Sequence, residues 1–409
     1  MIFYPFVLIA LSALFAFVSW RDIRYGLILL AAILPAYLLR FDLGPVPMTL
    51  LEAFAFILVA IWLMRTMPLG PKPRDPVPRA WILPIALLLV AASVAVLVAP
   101  DHLSALGIWK AYFVEPILVF IVATDTLRRH PEDHRRLLAA LGTGGLFVAI
   151  CAVVQWLTGL GIPAPWDVEG RVVSIFPYPN AVGLYLAPVI VIAASSLRRT
   201  AHRSQNAFWI LTLVLSSIAI MLSQSEAAIV AIVATLLIAA AAHERTRPFA
   251  AFASLLVIFV LLNSPALRDK LTFNDFSGQV RRSQWTETVS LLADHAVLGV
   301  GLNGYPSAMV PYHMAEQYEI FQYPHTIVLN VWTELGLLGL VAFALIAYRV
   351  LRSCEPVSLR TSPAFLALIA MTIHGLADVP YFKNDLAMMT WILIAVVAAS
   401  HYASSSRRV

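Results

Sequence analysis

Charged side chains and cysteines are scarce in this chain of 409 residues, where only 12% of the residues are charged and two are cysteines. Cys151 lies within an apolar run and Cys354 in a basic loop, so the two cannot pair, and neither a disulfide framework nor a thiolate metal site is expected. With 60% hydrophobic residues and a mean hydropathy of +0.83, the composition lies outside the soluble globular range. The chain is therefore predicted to lie in a lipid bilayer.

Other absences narrow the class of membrane protein. The first apolar run has no basic segment ahead of it and no small-residue cleavage site, so it is expected to be a retained helix and not a removed signal peptide. No internal repeat typical of inverted-repeat transporters is evident, and the alternation typical of barrel strands is missing. The sequence therefore predicts an all-α polytopic membrane protein, with residues 1–409 as a single integral membrane domain.

About twelve or thirteen apolar runs have a length that suits membrane helices. They lie near residues 2–19, 26–40, 50–66, 81–99, 105–124, 137–157, 179–196, 208–222, 225–242, 249–263, 325–348, 363–376 and 385–401.

Basic residues occur at every second turn between these runs, and this alternation orients the chain because Lys and Arg are retained on the cytoplasmic side. The basic loops hold 20 of the 28 Lys and Arg residues. They contain Arg21, Arg24, Arg65, Lys72, Arg74, Arg79, Arg128, Arg129, Arg135, Arg136, Arg198, Arg199, Arg203, Arg245, Arg247, Arg349, Arg352, Arg360, Arg407 and Arg408. The C-terminus is then inside, and the N-terminus is outside with thirteen spans or inside with twelve. The pI of 9.3 reflects this topology and does not indicate a nucleic-acid partner.

Five polar segments are predicted on the outer side, around residues 41–49, 100–104, 158–178, 264–324 and 377–384. The long extracytoplasmic loop, residues 264–324, is expected to contain an amphipathic helix on the bilayer surface, because apolar side chains recur in it at helical spacing. The spaced residues are Trp285, Val289, Leu292 and Ala296. Arg281 and Arg282 precede Trp285 by about one turn. These two arginines could be interfacial anchors of the helix or ligands of a phosphate group, and both interpretations stay open.

His325 follows Pro324 at the predicted start of a span, where an imidazole can exchange protons near neutral pH. A lone histidine in this position is also common as a cap or packing residue, so both roles stay open. Ionisable residues inside the predicted spans are costly and are candidates for function, although several are expected to pair with each other. They are Lys110, Glu115, Glu226, Glu334, His374, Asp378 and Asp385.

Other short patterns carry weaker signals. Gly299-Val-Gly301-Leu-Asn-Gly304 has the spacing of a dinucleotide-binding loop, but no strand precedes it, so its glycines are expected to serve tight turns. Asp167 and Glu169 have a spacing that could hold a divalent cation, yet acidic residues in loops are usually solvated, and no metal or cofactor is predicted. Before the next span, Pro179 suits a first helical turn and leaves Asn180 at the membrane surface.

Four motifs in this order resemble the O-antigen ligase and O-antigen polymerase superfamily of bacterial envelope glycosyltransferases. They are Phe176-Pro-Tyr-Pro-Asn180-Ala-Val-Gly-Leu-Tyr-Leu, Ser223-Gln-Ser-Glu226, Arg281-Arg-Ser-Gln-Trp285 with the glycines 299–304, and Pro324-His325-Thr with Glu334-Leu-Gly-Leu-Leu-Gly339. The similarity covers residues 170–345, a ligase-like core. Glu226 departs from the family pattern, which often has Arg after Ser-x-Ser, and one expected phosphate contact is thereby lost.

The resemblance implies a GT-C-like enzyme that needs no metal and works on the outer face of the bacterial cytoplasmic membrane. It would move a glycan from undecaprenyl diphosphate to an acceptor hydroxyl, either a lipid A-core sugar in ligases or another lipid-linked glycan in polymerases. The catalytic roles would fall on Arg281, Arg282 and His325, and Lys110, Arg171, Asn180 and Trp285 would contribute to substrate binding. A transporter of lipid-linked glycans and a scaffold of an envelope complex are the alternatives from other classes.

Overall fold

The structure, a computed structural model, describes residues 3–44, 46–66, 77–197, 202–315, 317–354 and 362–405. Part of the basic loops that orient the chain lies outside the described residues, namely Lys72, Arg74, Arg198, Arg199, Arg360, Arg407 and Arg408. The described chain is almost entirely helical, which confirms the predicted all-α fold class.

The helices are α1 (Phe3–Arg21), α2 (Ile23–Ala32), α3 (Leu50–Thr66), α4 (Ile82–Val98), α5 (His102–Ile108), α6 (Glu115–Arg129), α7 (Asp133–Thr158), α8 (Trp166–Glu169), α9 (Pro179–Leu197), α10 (Arg203–Ser223), α11 (Glu226–Ala241), α12 (Arg247–Asn263), α13 (Pro265–Leu271), α14 (Phe276–His295), α15 (Tyr305–Met309), α16 (Ile327–Ser353), α17 (Pro363–His374) and α18 (Asn384–Ser405). A π-helical segment, Trp109–Val114, joins α5 to α6. Two short strands that the sequence did not predict, β1 (Arg40–Leu43) and β2 (Val46–Thr49), form an antiparallel hairpin in the first outer segment.

Eight helical stretches in the described chain are long and apolar enough to cross a membrane. They are Tyr4–Arg21, Arg79–Val98, His102–Arg129, Asp133–Thr158, Pro179–Leu197, Arg203–Ser223, Ile327–Ser353 and Asn384–His401. The other predicted runs form shorter helices, which include Ile23–Ala32, Glu226–Ala241, Arg247–Val260 and Pro363–His374. The 26–40 run, for example, becomes α2 and a 3-10 turn over Leu34–Leu38.

Contacts between loops sort the helix ends into two groups, which we call the site end and the basic end. At the basic end, Arg24 lies 3.7 Å from Asp133 across the α6–α7 turn. At the site end, the Tyr4 hydroxyl donates to the Arg40 carbonyl at 2.9 Å, which brings the start of α1 to the hairpin. The start of α1 therefore lies at the site end, as in the thirteen-span alternative.

The core of the bundle is formed around α9 and α18, whose apolar side chains are buried on all sides. Helix α18 packs against α6, while α9 packs against α7, α10 and α17. Helix α16 lies against α4. Because a helix that is apolar all round can be buried all round, these two sequences suit the centre of the bundle.

Helix α14 confirms the predicted helix in the long loop. Of the apolar side chains at helical spacing, Leu292 is buried in the protein and Val289 is 59% exposed. The face that packs against the protein combines the polar side chains of Gln284, Glu287 and Thr288 with Leu291 and Leu292. The Thr288 hydroxyl lies 2.8 Å from the Tyr305 hydroxyl of α15.

The glycines after α14 serve close packing and tight turns, as predicted. Gly299 and Gly301 have φ of +68° and +82°, a region that favours glycine. A Cβ on Gly299 would lie 2.3 Å from the Thr333 carbonyl of α16, and one on Gly301 would lie 2.4 Å from the Ala99 nitrogen. The segment thereby anchors the long loop between α4 and α16.

Candidate active site

Three of the other four predicted outer segments contact the long loop or its flanks at the site end. Asn303 donates from its side chain to the Ser104 hydroxyl at 2.8 Å, joining the long loop to the 100–104 segment. The Ile327 N–H donates to the Gly375 carbonyl at 2.8 Å, joining the start of α16 to the end of α17. The sequence could assign these segments to one side of the membrane, and the contacts bring their side chains together.

His325 lies before α16 and not within its first turn, because the helix begins at Ile327 and Thr326 is its N-cap residue. Its φ of +46° is in the left-handed region, at a cost on the order of 1 kcal/mol for a residue with a Cβ. Contacts on both sides hold this conformation. The Trp285 indole N–H donates to the Pro324 carbonyl at 2.8 Å, and the Thr326 hydroxyl donates to the Gly375 carbonyl at 3.3 Å.

The imidazole of His325 faces a buried carboxylate. Its Nδ1 lies 3.7 Å from Oδ1 of Asp378, an ion-pair distance, and has no hydrogen-bond partner among the described residues. The rings of Phe321 and Tyr323 contact the imidazole edge-on, with centroids 5.1 Å and 5.5 Å away. The His325 side chain keeps 18% of its surface exposed, so one side of the ring is open.

Asp378 remains a charged group in this environment. Burial alone would raise the pKa of the Asp378 carboxyl, but the facing His325, the nearby His374 and the Val379 N–H outweigh it and hold that pKa below its ordinary value. The Val379 N–H donates to Asp378 at 2.8 Å. A buried carboxylate beside a partly open imidazole can orient the ring and stabilise its protonated form.

The two predicted arginines have different surroundings. Arg281 is partly buried and interacts electrostatically with His374, which is 1% exposed at the end of α17. Among the described residues it forms no hydrogen bond or ion pair. Arg282 is exposed and donates to the Asn274 side chain at 3.2 Å. Arg281 therefore offers an unengaged guanidinium toward the α17 side of the site, while Arg282 lies on the surface of the loop.

Trp285, Arg281 and His325 are thus brought to one place, together with Asp378, to which the sequence analysis assigned no role in the site. The Tyr178 hydroxyl lies 3.2 Å from the Tyr323 hydroxyl and links the 158–178 segment to the residues before His325. Asp378 and His374 were visible among the intramembrane ionisable residues. Two signals could have linked them to the site. His374 and Asp378 are four residues apart, about one helical turn, and Asp378 belongs to the polar outer segment 377–384.

Arg171 and Asn180 form a second cluster beside Tyr178. The Arg171 guanidinium donates to Asn180 Oδ1 at 3.2 Å and to the Ser223 carbonyl at 3.1 Å. It also pairs with Glu169 at 3.4 Å and lies 5.3 Å from the Trp166 ring centroid. Pro179 begins α9 as predicted. The two predicted substrate-binding residues are therefore in contact with each other, with the charge of Arg171 partly neutralised.

Lys110 belongs to a third cluster, near the hairpin. Its Nζ lies 3.3 Å from Glu52 and donates to the Pro47 carbonyl at 3.3 Å. Glu52 also accepts a hydrogen bond from the Thr49 N–H at 2.6 Å, so it caps the start of α3. The charge of Lys110 is thus paired with a carboxylate of α3, and its second partner lies in β2.

Glu226 pairs with Lys270 of the long loop, and both side chains are about half exposed. The residue that departs from the family pattern is therefore engaged by a cation from the facing loop.

Asp167 and Glu169 do not belong to a group of described residues that could hold a metal ion. Asp167 and Glu169 lie in exposed α8, and Glu169 is engaged by Arg171. Among the described residues, His130, Glu132 and Asp133 at the basic end have side-chain atoms close enough together to hold a metal ion. Arg24 contacts all three, at 3.5 Å, 3.6 Å and 3.7 Å, so a guanidinium already supplies the positive charge there.

Part of the chain is similar to a known protein family. Residues 211–344 match the family model described as O-antigen ligase, within the core of residues 170–345 predicted from the motifs. The matched region runs from α10 into α16 and includes Arg281, Arg282, Trp285 and His325, while Asp378 and Arg171 lie outside it. No curated protein matches the chain significantly. This match, over the long loop and its flanking helices, supports the O-antigen ligase superfamily.

Proposed function

We propose that the protein transfers a glycan from undecaprenyl diphosphate to an acceptor hydroxyl on the outer face of the bacterial cytoplasmic membrane. The acceptor is a lipid A-core sugar in the ligase form of the proposal and another lipid-linked glycan in the polymerase form. The observation that carries the proposal is the juxtaposition of His325, facing Asp378, with the unengaged Arg281 in a membrane-protein site.

The chemistry needs two kinds of group. As the bond between the anomeric carbon and the diphosphate oxygen breaks, the electron pair leaves with the diphosphate, and a fixed guanidinium stabilises the growing negative charge. As the acceptor oxygen bonds to the anomeric carbon, its proton must go to a base. Nε2 of His325 can accept that proton, because Nδ1 faces Asp378 and the resulting imidazolium is stabilised by the carboxylate.

The distance of 3.7 Å between His325 and Asp378 is longer than a hydrogen bond. Catalytic hydrogen bonds are often long before the substrate binds and shorten in the complex. We expect the pair to close when a donor diphosphate adds negative charge beside the imidazole.

The activity is tested with purified protein in lipid nanodiscs, a polyprenyl-diphosphate-linked glycan and an acceptor. Arg281→Ala should reduce transfer strongly, while the matched variant Arg245→Ala, at the turn before α12, should retain it. Full transfer by Arg281→Ala and His325→Ala together would contradict the proposal.

Product analysis in a deletion strain separates the two forms of the proposal. Lipid-linked chains of normal length that fail to reach their final acceptor indicate a ligase. Single repeat units on the lipid indicate a polymerase.

A further inference from the structure

A cavity of about 500 Å³ lies at the basic end, where the starts of α7, α10 and α17 meet the ends of α9 and α18. One of its walls is the ring of Trp209, which is 5% exposed. Gly142 of α7 makes room for this ring, because a Cβ at Gly142 would lie 2.7 Å from it. The cavity is at the opposite end of the bundle from His325, so the candidate active site does not use it.

Several polar groups that line the cavity have no partner among the described residues. Arg135 forms no hydrogen bond or ion pair there. The Ser196 hydroxyl and the Trp209 indole N–H likewise have no hydrogen-bond partner, although these side chains are only 7% and 5% exposed. The Nε2 atom of His134 is buried and also lacks one. Because buried polar groups are normally satisfied, a ligand that accepts hydrogen bonds is expected in the cavity.

The lining changes from polar to apolar within one turn of the helix ends. On each of three helices, a polar side chain lies near the end and an apolar one lies about one turn further in. The pairs are Arg135 and Leu138 on α7, Gln205 and Phe208 on α10, and Ser400 and Val396 on α18. None of the described residues that line the cavity is acidic. This order matches a molecule with an anionic head and a hydrocarbon chain.

We propose that this cavity binds the phosphate head group of an anionic phospholipid, with an acyl chain against its apolar wall. Arg135 supplies the charge, because the other lining arginine, Arg136, is already paired with Asp133 at 2.7 Å. A free phosphate would leave the apolar wall in contact with water, whereas a phospholipid covers it. Basic pockets between helices on the cytoplasmic side of a membrane suit such head groups. The site is independent of the proposed glycan transfer.

The test is native mass spectrometry of the purified full-length protein in detergent, titrated with phosphatidylglycerol or with zwitterionic phosphatidylcholine. Arg135→Gln removes the charge, and Ala139→Phe fills the cavity while keeping its donors. Arg245→Gln is the matched control, because Arg245 is an exposed arginine in the turn between α11 and α12 and is not part of the cavity wall. Size-exclusion chromatography reports whether each variant folds.

We expect Arg135→Gln to weaken phosphatidylglycerol binding by about fivefold, the effect of one basic residue beside an anionic lipid. Ala139→Phe should also weaken it, because the acyl chain loses its place, and Arg245→Gln should not. Phosphatidylcholine should bind the wild type more weakly than phosphatidylglycerol does. Equal phosphatidylglycerol binding by the wild type and Arg135→Gln, or the same loss in Arg245→Gln, would overturn the inference.

Thermal unfolding distinguishes a lipid from a free anion at this site. Phosphatidylglycerol should raise the unfolding temperature of the wild type more than that of Arg135→Gln, since it binds the folded state more tightly when the charge is present. Inorganic phosphate at the same concentration should not produce this difference. If it does, the cavity takes a free anion and the assignment to a phospholipid is wrong.

Discussion

The basic end of the bundle holds arginines that are paired with carboxylates, whereas Arg281 at the site end has no such partner among the described residues. At the basic end, Arg24 binds Asp22 at 2.7 Å, and Arg136 binds Asp133 at 2.7 Å. Arg129 pairs with Asp125 one turn earlier at 3.0 Å. At the site end, Arg281 forms no ion pair among the described residues, and the imidazole of His325 lies 3.7 Å from its carboxylate.

This difference separates anchoring charges from charges that can still bind a ligand. A guanidinium that already has a carboxylate within hydrogen-bonding distance gains little from an incoming phosphate, because the existing partner must be displaced. Lys110 and Arg171 at the site end resemble these paired basic-end cations in this respect, since each has an acidic partner. Of the cations predicted to act at the site, Arg281 is therefore the one whose guanidinium we expect to bind a phosphate.

The largest expected effect is the loss of the proton acceptor. His325→Ala should reduce kcat for glycan transfer by about 10²- to 10⁴-fold, the usual contribution of a general base. Asp378→Asn should give a smaller loss, because the amide keeps the shape of the side chain but cannot stabilise an imidazolium. Steady-state kinetics of purified protein measure both effects. Equal activity of the wild type and His325→Ala would show that the pair has only a structural role.

The next effect should separate the two neighbouring arginines. Arg281→Ala is expected to reduce kcat by about 10²- to 10³-fold, the range found when a donor to a developing negative charge is removed. Arg282→Ala should lower it less than tenfold, because Arg282 is exposed and bound to Asn274. The same kinetic assay tests both variants, each serving as the control for the other. A larger loss with Arg282→Ala would reverse the assignment.

The sequence was sufficient to predict the elements that depend on local composition. Apolar runs, basic loops and helix-starting prolines such as Pro179 predicted the helical fold and the segments that meet at the site end. Glycine spacing predicted the turns at Gly299 and Gly301. These features depend on how side chains partition between lipid and water and on backbone sterics. Both follow from the residue types along a single sequence.

The pairing of side chains could not be read from the sequence. Asp378 is 53 residues after His325, and nothing in the spacing indicates that α17 brings it back to the imidazole. The contact of Thr288 of α14 with Tyr305 of α15 could not be predicted for a related reason, since it depends on how the long loop folds back on itself. Tertiary contacts decide both cases, and they outweigh periodicity and propensity.

The effect of acid should be smaller than that of these substitutions and should depend on Asp378. Because its pKa lies below the ordinary value of about 3.9, the charged carboxylate stabilises the folded state above that pH, and this contribution is lost as the pH falls through the lower folded-state pKa. Unfolding temperatures measured from pH 6 to pH 3 should therefore fall more steeply below about pH 4 for the wild type than for Asp378→Asn. Parallel curves for the two proteins would contradict the assigned charge state.

The smallest effect is expected from Arg24→Gln at the basic end. Arg24 lies among Asp22, Glu132 and Asp133, so its loss should lower the unfolding temperature slightly and leave kcat for glycan transfer unchanged. The pair with Asp22 is partly exposed, so added salt should screen it and reduce the difference in unfolding temperature between Arg24→Gln and the wild type. Salt should not reproduce the effect of Asp378→Asn, whose carboxylate is only 4% exposed. A strong loss of kcat in folded Arg24→Gln would show that charges at the two ends are coupled, and the distinction between anchoring and ligand-binding cations would then no longer hold.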